Sequence, residues 1–211
     1  MLLRYLLVIA MFVACGSLRA DEVALVMSVQ GRVTRLAEPA AFPVEAFVKL
    51  KDGDRLELEK DSRLRVVFFD NGRQEAWSGP GRLDLTAREG RASGLAAPEV
   101  KLLPLVMARQ LGRTPSLDSQ GRGGVTRVRA VQSPDAMTRL ENTYQDLRSR
   151  AGPDDLGPET YLLSGLFEMR ELDRVERVLG DLQQERPKNS EAALLIALYR
   201  KAVRNARESR K

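Results

Sequence analysis

Three glutamates, Glu57, Glu59 and Glu75, stand in a stretch of alternating apolar and polar residues. Two carboxylates are the smallest set that hydrolyses a bond by acid and base without a metal. The alternation puts all three on an exposed strand face, and no neighbouring apolar run builds the dry pocket that raises a catalytic pKa. Asp52, Asp54, Asp61 and Asp70 supply oxygen ligands of the kind calcium takes, but their spacing fits no calcium loop, and turn formation accounts for them. Trp77, the one tryptophan, lies two residues past Glu75 on a strand ending in Gly79-Pro80-Gly81. It reads either as a ligand-stacking ring or as an aromatic covering the sheet. Histidine is absent and cysteine occurs once, at Cys15. That removes the usual zinc, haem, iron–sulfur, Ser-His and Cys-His chemistries, so no catalytic residue, metal or cofactor is expected.

The charge balance points the same way. With 34 basic and 29 acidic side chains the surplus is +5, and Arg4 and Arg19 of the leader account for two of it. Nucleic-acid binding through Arg122, Arg127 and Arg129 finds little support in so small a surplus, or in a chain whose aromatics make up only 5%. Gly123-Gly124 is followed by no Lys-Ser/Thr and opens no strand-to-helix turn, so it reads as linker and not as a phosphate cradle.

The residues that must position any site begin with Leu50–Leu85. Leu56 and Leu58, then Leu64, Val66 and Phe68, then Leu83 and Leu85 recur with a period of two, which specifies pleated strands with one wet face. Asp52-Gly53, Lys60-Asp61-Ser62, Asp70-Asn71-Gly72 and Gly79-Pro80-Gly81 separate the runs, and Asn71-Gly72 is expected to supply the positive backbone angles of a tight hairpin. A first strand is expected over Val23–Val29 and a second over Arg32–Leu36, with a surface loop over Glu38–Glu45. An antiparallel β-module over residues 21–92 follows.

Residues 1–20 carry Arg4 and an apolar run from Tyr5 to Ala14, too short to span a bilayer comfortably, which marks a secretory signal. Two cleavage readings fit. Phe12-Val13-Ala14-Cys15 before Gly16 resembles a bacterial lipobox, in which the Cys15 thiol is the lipid attachment point. The alternative cut follows Leu18-Arg19-Ala20. Either one exports the chain to the periplasm, with outer-membrane anchoring where Cys15 is acylated.

Gln30-Gly31-Arg32-Val33, Leu50-Lys51-Asp52-Gly53-Asp54-Arg55-Leu56, the run Arg63 to Gly72, and Gly79-Pro80-Gly81-Arg82-Leu83 resemble, in order and spacing, the FecR-like domain of bacterial envelope proteins. The likeness covers roughly residues 23–90 and implies a β-domain built of antiparallel hairpins, as a sandwich or a short solenoid-like roll. The regulators that name the family place this domain after a sigma-binding segment and a membrane helix. This chain has a leader in their place, so the resemblance implies an exported binding or scaffolding domain.

Periodicity weakens from Ala87 to Ser133, and residues 93–132 form a connector. Val100–Leu111 is apolar enough for a short helix starting near Leu103-Pro104, and Val125–Val131 reads as one more strand. Residues 133–207 are helical. Ser133-Pro134-Asp135 starts a helix with Met137, Leu140, Tyr144 and Leu147 on one face. Pro158 opens a second, Leu172–Leu182 forms a third, and the fourth runs from about Ser190 to Arg207 with Leu194, Leu195, Leu198 and Ala202 expected inside. With Pro187 as the terminal proline, Leu162, Leu166, Val175, Leu179 and Leu182 fall on the packing positions of a tetratricopeptide repeat, which the pair of helices resembles. That likeness implies a small helical bundle with a peptide-binding groove, in which Tyr161 and Arg170 are candidate binding residues.

The expected fold class is therefore α+β, an all-β module followed by a tetratricopeptide-like bundle. The expected function is a non-catalytic, exported envelope protein that acts as a scaffold or adaptor. Its expected partners are envelope proteins or peptidoglycan, with no nucleic acid, and Trp77, Tyr161 and Arg170 are the candidate contacts. The alternatives are a carboxylate-dependent cell-wall hydrolase and an accessory component of cell-surface signalling.

Overall fold

In the computed structural model the described residues are 21–115 and 134–209. The leader with Cys15, the Gly123-Gly124 linker, Arg122, Arg127 and Arg129, the Val125–Val131 segment and the Ser133 cap lie outside them.

Among the described residues there are ten strands: β1 (Glu22–Gln30), β2 (Val33–Leu36), β3 (Phe42–Pro43), β4 (Lys49–Lys51), β5 (Arg55–Leu58), β6 (Arg63–Phe68), β7 (Arg73–Ser78), β8 (Gly81–Leu85), β9 (Gly90–Ser93) and β10 (Glu99–Leu102). They make two antiparallel five-stranded sheets, ordered β10-β7-β6-β1-β4 and β3-β2-β5-β8-β9. Among the described residues five helices follow: α1 (Leu105–Leu111), α2 (Pro134–Arg150), α3 (Gly157–Glu168), α4 (Leu172–Glu185) and α5 (Ser190–Glu208). The architecture is α+β.

Leu56, Leu58, Leu83 and Leu85 from the second sheet meet Ala24, Val26, Leu64, Val66 and Phe68 from the first, and these make the sandwich core. For the second sheet the one-wet-face expectation holds. For β1 and β6 it does not. Leu25, Met27 and Val67, on the opposite face of the first sheet, are buried too, in one continuous cluster with the helices. The first sheet is thus a middle layer, covered by the second sheet on one side and by helices on the other. Its strands accordingly read as unbroken apolar runs, Ala24-Leu25-Val26-Met27 and Val66-Val67-Phe68-Phe69, in the manner of strands buried on both faces.

Three local expectations change. Between β6 and β7 only Gly72 has positive φ, at 69°, and Asn71 instead accepts the Arg73 amide proton on Oδ1 and donates its side-chain amide to the Arg88 carbonyl. The turn is therefore a four-residue loop and not a two-residue Asn-Gly hairpin. A Cβ on Gly72 would sit 2.4 Å from the Leu103 carbonyl oxygen, so this position needs glycine for space as well as angle. The Glu38–Glu45 loop contains β3, a short edge paired to β2. β9 and β10 extend both sheets into the region of weak periodicity, because edge strands there bury little: all four residues of β10 are exposed.

Among the helices, α3 is the hub, with every residue from Gly157 to Leu166 buried. α2 crosses it where Gly165 leaves no room for a side chain: a Cβ there would meet Leu140 at 2.4 Å. A buried hydroxyl chain, Thr114 to Ser164 (2.9 Å) to Tyr199 (2.7 Å), ties the end of α1 to α3 and α5, and burial pushes the Tyr199 phenol up from its ordinary range. On α5 Ala192, Leu195, Ile196, Leu198, Tyr199, Val203 and Ala206 are buried, so Leu195 and Leu198 lie inside as expected, whereas Leu194 is 39% exposed and Ala202 only half-buried.

Leu25→Ala removes methyls between sheet and helices and should cost about 2–5 kcal/mol in denaturant unfolding. Leu194→Ala, on an exposed helix position, should cost under about 1 kcal/mol.

Candidate functional site

A β-bulge sets up a large recess among the described residues. Opposite β6, the register of β1 runs Leu25 to Val67 and Val26 to Val66, then resumes at Ser28 to Arg65, with Met27 as the extra residue. A bulge shifts the alternation by one. Beyond it Ser28 and Gln30, not Val29, join the helix-facing side of the first sheet. Two cross-strand rows result, Ser28–Arg65–Ala76–Glu99 and Gln30–Arg63–Ser78. They floor an open cleft of about 800 Å³ whose far wall is the Gly152–Asp155 turn and the start of α5.

That wall is held by Arg148 at the end of α2. Its guanidinium donates to the Ala151 carbonyl at 3.1 Å, the Asp155 carbonyl at 2.8 Å and the Gly152 carbonyl. It also pairs with the buried Glu159 carboxylate at 3.0 and 3.1 Å. Asp155 in turn accepts the Gly157 amide proton at 2.9 Å, fixing the entry into α3.

The cleft carries both signs of charge. Arg63 and Arg65 rise from the sheet, and Asp154, Asp155, Glu191 and Glu99 lie around them. The Arg65 guanidinium is 4.0 Å from the Asp155 carboxylate, and its buried Nε–H has no acceptor among the described residues. Burial raises the pKa of Glu191, Arg65 and the Val29 amide act against that rise, and Asp155 and Asp154 add to it. Such a surface suits a polar ligand with groups of both charges.

Of the binding residues singled out from the sequence, Trp77 borders the cleft, and Tyr161 and Arg170 do not. Trp77 is buried between the sheets, 3% exposed, and its indole N–H donates to Glu75 at 3.0 Å, so it covers the core and presents no stacking face. Glu75 is not on an exposed face. It is wholly buried and also accepts from Arg73 Nε–H at 2.5 Å and from the Gly90 amide of β9 at 3.0 Å, bridging the two sheets. Glu57 and Glu59 lie apart from it, beside Arg82 and Arg32. Tyr161 is 4% exposed inside the helical core and offers no groove surface. Arg170 is exposed at the α3–α4 turn with φ of 62°, a turn residue away from the cleft lining. Between the end of α4 and α5 there is a smaller recess of about 210 Å³ beside Arg186, Ile196 and Arg200.

Sequence reasoning missed Ser28, Gln30, Arg63 and Arg65. The available signal was the change after Met27, where the unbroken apolar run Ala24-Leu25-Val26-Met27 gives way to polar residues on either side of Val29. Among the described residues no group of three or more acidic or cysteine side chains is placed to hold a metal ion. Comparison of the chain with family models, characterised proteins and solved structures gives no match.

Glu75→Ala leaves the Arg73 charge and two N–H donors unpaired in the sandwich and should cost about 3–5 kcal/mol in denaturant unfolding. Glu191→Gln tests the electrostatics of the cleft. A carboxyl whose folded pKa is raised contributes stability below the ordinary carboxylate range, and that contribution is lost as pH rises to the raised value. The difference in Tm between Glu191→Gln and the parent chain should therefore grow in favour of the variant as pH rises through that window. A difference flat with pH would show that burial does not dominate at Glu191.

Proposed function

We propose that the chain is a non-catalytic, exported envelope protein acting as a scaffold or adaptor, and that it holds an extended peptide of a partner protein in the cleft between its β-module and its helices. The observation that carries this reading is the cleft itself. Its floor is a polar sheet surface with side chains regularly spaced along three neighbouring strands, and its walls carry the opposite charges. An extended peptide has the same two-residue repeat and carries both ammonium or guanidinium and carboxylate groups, so its charges have counterparts on both sides of the cleft.

Export rests on the apolar run of the leader and on the likeness of the β-module to FecR-like domains. No helix among the described residues is long and apolar enough to cross a membrane. The helical region is kept in this reading as a structural partner of the sheet: Leu162, Leu166, Val175, Leu179 and Leu182 all face its core. The likeness to a tetratricopeptide repeat remains part of the proposal, with the binding surface moved from Tyr161 and Arg170 to Arg65, Asp154 and Asp155.

A photo-crosslinking amino acid at Gln30, inside the cleft, should capture a partner protein in intact cells, and one at the exposed Lys60 should not. Arg65→Glu should reduce the Gln30 adduct several-fold. Capture of cell-wall fragments in place of protein would reassign the ligand, and equal capture from both positions would refute the cleft as the binding site.

A further inference from the structure

Among the described residues β10 is an edge of the first sheet, with β7 as its neighbour. Edge strands left open template pairing with another chain unless bulges, prolines or charges blunt them. Here the edge is apolar on one face: Val100 is 42% exposed and Leu102 74%. Both lie on the sandwich side, in register with Glu75 and Arg73, and Glu99 and Lys101 lie on the cleft side with Ala76 and Gln74. Leu105 and Val106, at the start of the helix that follows β10, are exposed at 46% and 57%.

The backbone fixes which groups are unpaired. The Leu103 N–H donates to the Gly72 carbonyl at 2.9 Å. In an antiparallel ladder the hydrogen-bonding direction alternates, so Lys101 and Glu99 also turn their N–H and C=O groups toward β7. Those of Val100 and Leu102 point off the edge.

We propose that this edge is a self-association surface on which β10 pairs antiparallel with β10 of a second copy, about a two-fold axis through Val100. In that register Val100 meets the partner's Val100 as a hydrogen-bonded pair, and the Leu102 N–H donates to the partner's Pro98 carbonyl. Pro98 has no N–H to lose and falls where the paired segment ends. Glu99 stands opposite the partner's Lys101, and Lys101 opposite the partner's Glu99. Moving the axis to Glu99 or to Lys101 would set a charge against its own copy, which disfavours both alternatives. Of these three registers charge favours the one through Val100, and in it the apolar side chains Pro98, Val100 and Leu102 share one face. The two first sheets become continuous, and the partner's Lys101 is brought beside Glu99 at the rim of each cleft. None of this depends on what the cleft binds.

The test uses the full chain with Cys15→Ser. Val100→Cys places two thiols across a hydrogen-bonded pair with Cα atoms about 5.5 Å apart, within disulfide reach. Mild oxidation should give a covalent dimer, and Lys60→Cys should not. Sedimentation should show the parent chain as a dimer, weakened about ten-fold by Glu99→Lys or Lys101→Glu, each of which turns two attractive pairs repulsive, and restored in the double swap. Circular dichroism of each variant checks that the fold is retained. A parent chain that is monomeric, a Val100→Cys variant that crosslinks no more than Lys60→Cys, or a double swap that fails to recover pairing would overturn the proposal.

Discussion

The β1–β6 pair has to be dry on both faces, and much of the molecule follows from that requirement. Ala24, Val26, Val66 and Phe68 face the second sheet, and Leu25, Met27 and Val67 face the helices. Each of those larger side chains, left in water, would forgo about 1.5–3 kcal/mol, against a total stability of about 5–15 kcal/mol for a typical domain. The helices are consequently no appendage to a finished β-domain. They supply the third layer that the central strands need, and the sheet supplies a surface that α1, α3 and their neighbours would otherwise lack.

A layered arrangement of this kind leaves a recess wherever the covering layer stops short of the sheet's end. Here the stopping point coincides with the bulge at Met27, past which the sheet turns polar side chains outward. Arg148 converts the loose α2–α3 connection into a defined wall by binding three carbonyls and a buried carboxylate at once. The cleft is therefore a product of packing: a covered apolar half of the sheet, an uncovered polar half, and a pinned turn between them. On the other side of the same sheet, Glu75 joins β7 to β9 through the Gly90 amide, so the floor of the cleft is braced from beneath.

Much of the architecture was legible in the sequence. The alternation of Leu56, Leu58, Leu83 and Leu85 placed the second sheet, and the apolar faces of α2, α3 and α4 were readable from their spacing. What periodicity could not reveal was the second buried face of β1 and β6, since Leu25 and Val67 look like ordinary strand residues until the helices are set against them. Edge strands β9 and β10 were hidden for the opposite reason, because they bury too little to leave a pattern. On α5 Leu195 and Leu198 point inward as their spacing indicated, but Leu194 does not, because only packing decides which of two adjacent leucines faces the core. The site was the least legible part. Trp77, Tyr161 and Glu75 drew attention by their chemistry, yet each is used inside the core, and the polar rows of the cleft depend on a one-residue bulge that composition does not signal.

Native-state hydrogen exchange tests the three-layer account most directly, because elements that share one core open together. The amides of β1 and β6 and those of α3 and α5 should exchange with the same opening free energy and the same denaturant dependence. Helical amides that exchange freely while β1 and β6 stay protected would mean that the sheet stands without its helical cover, and the account would be wrong.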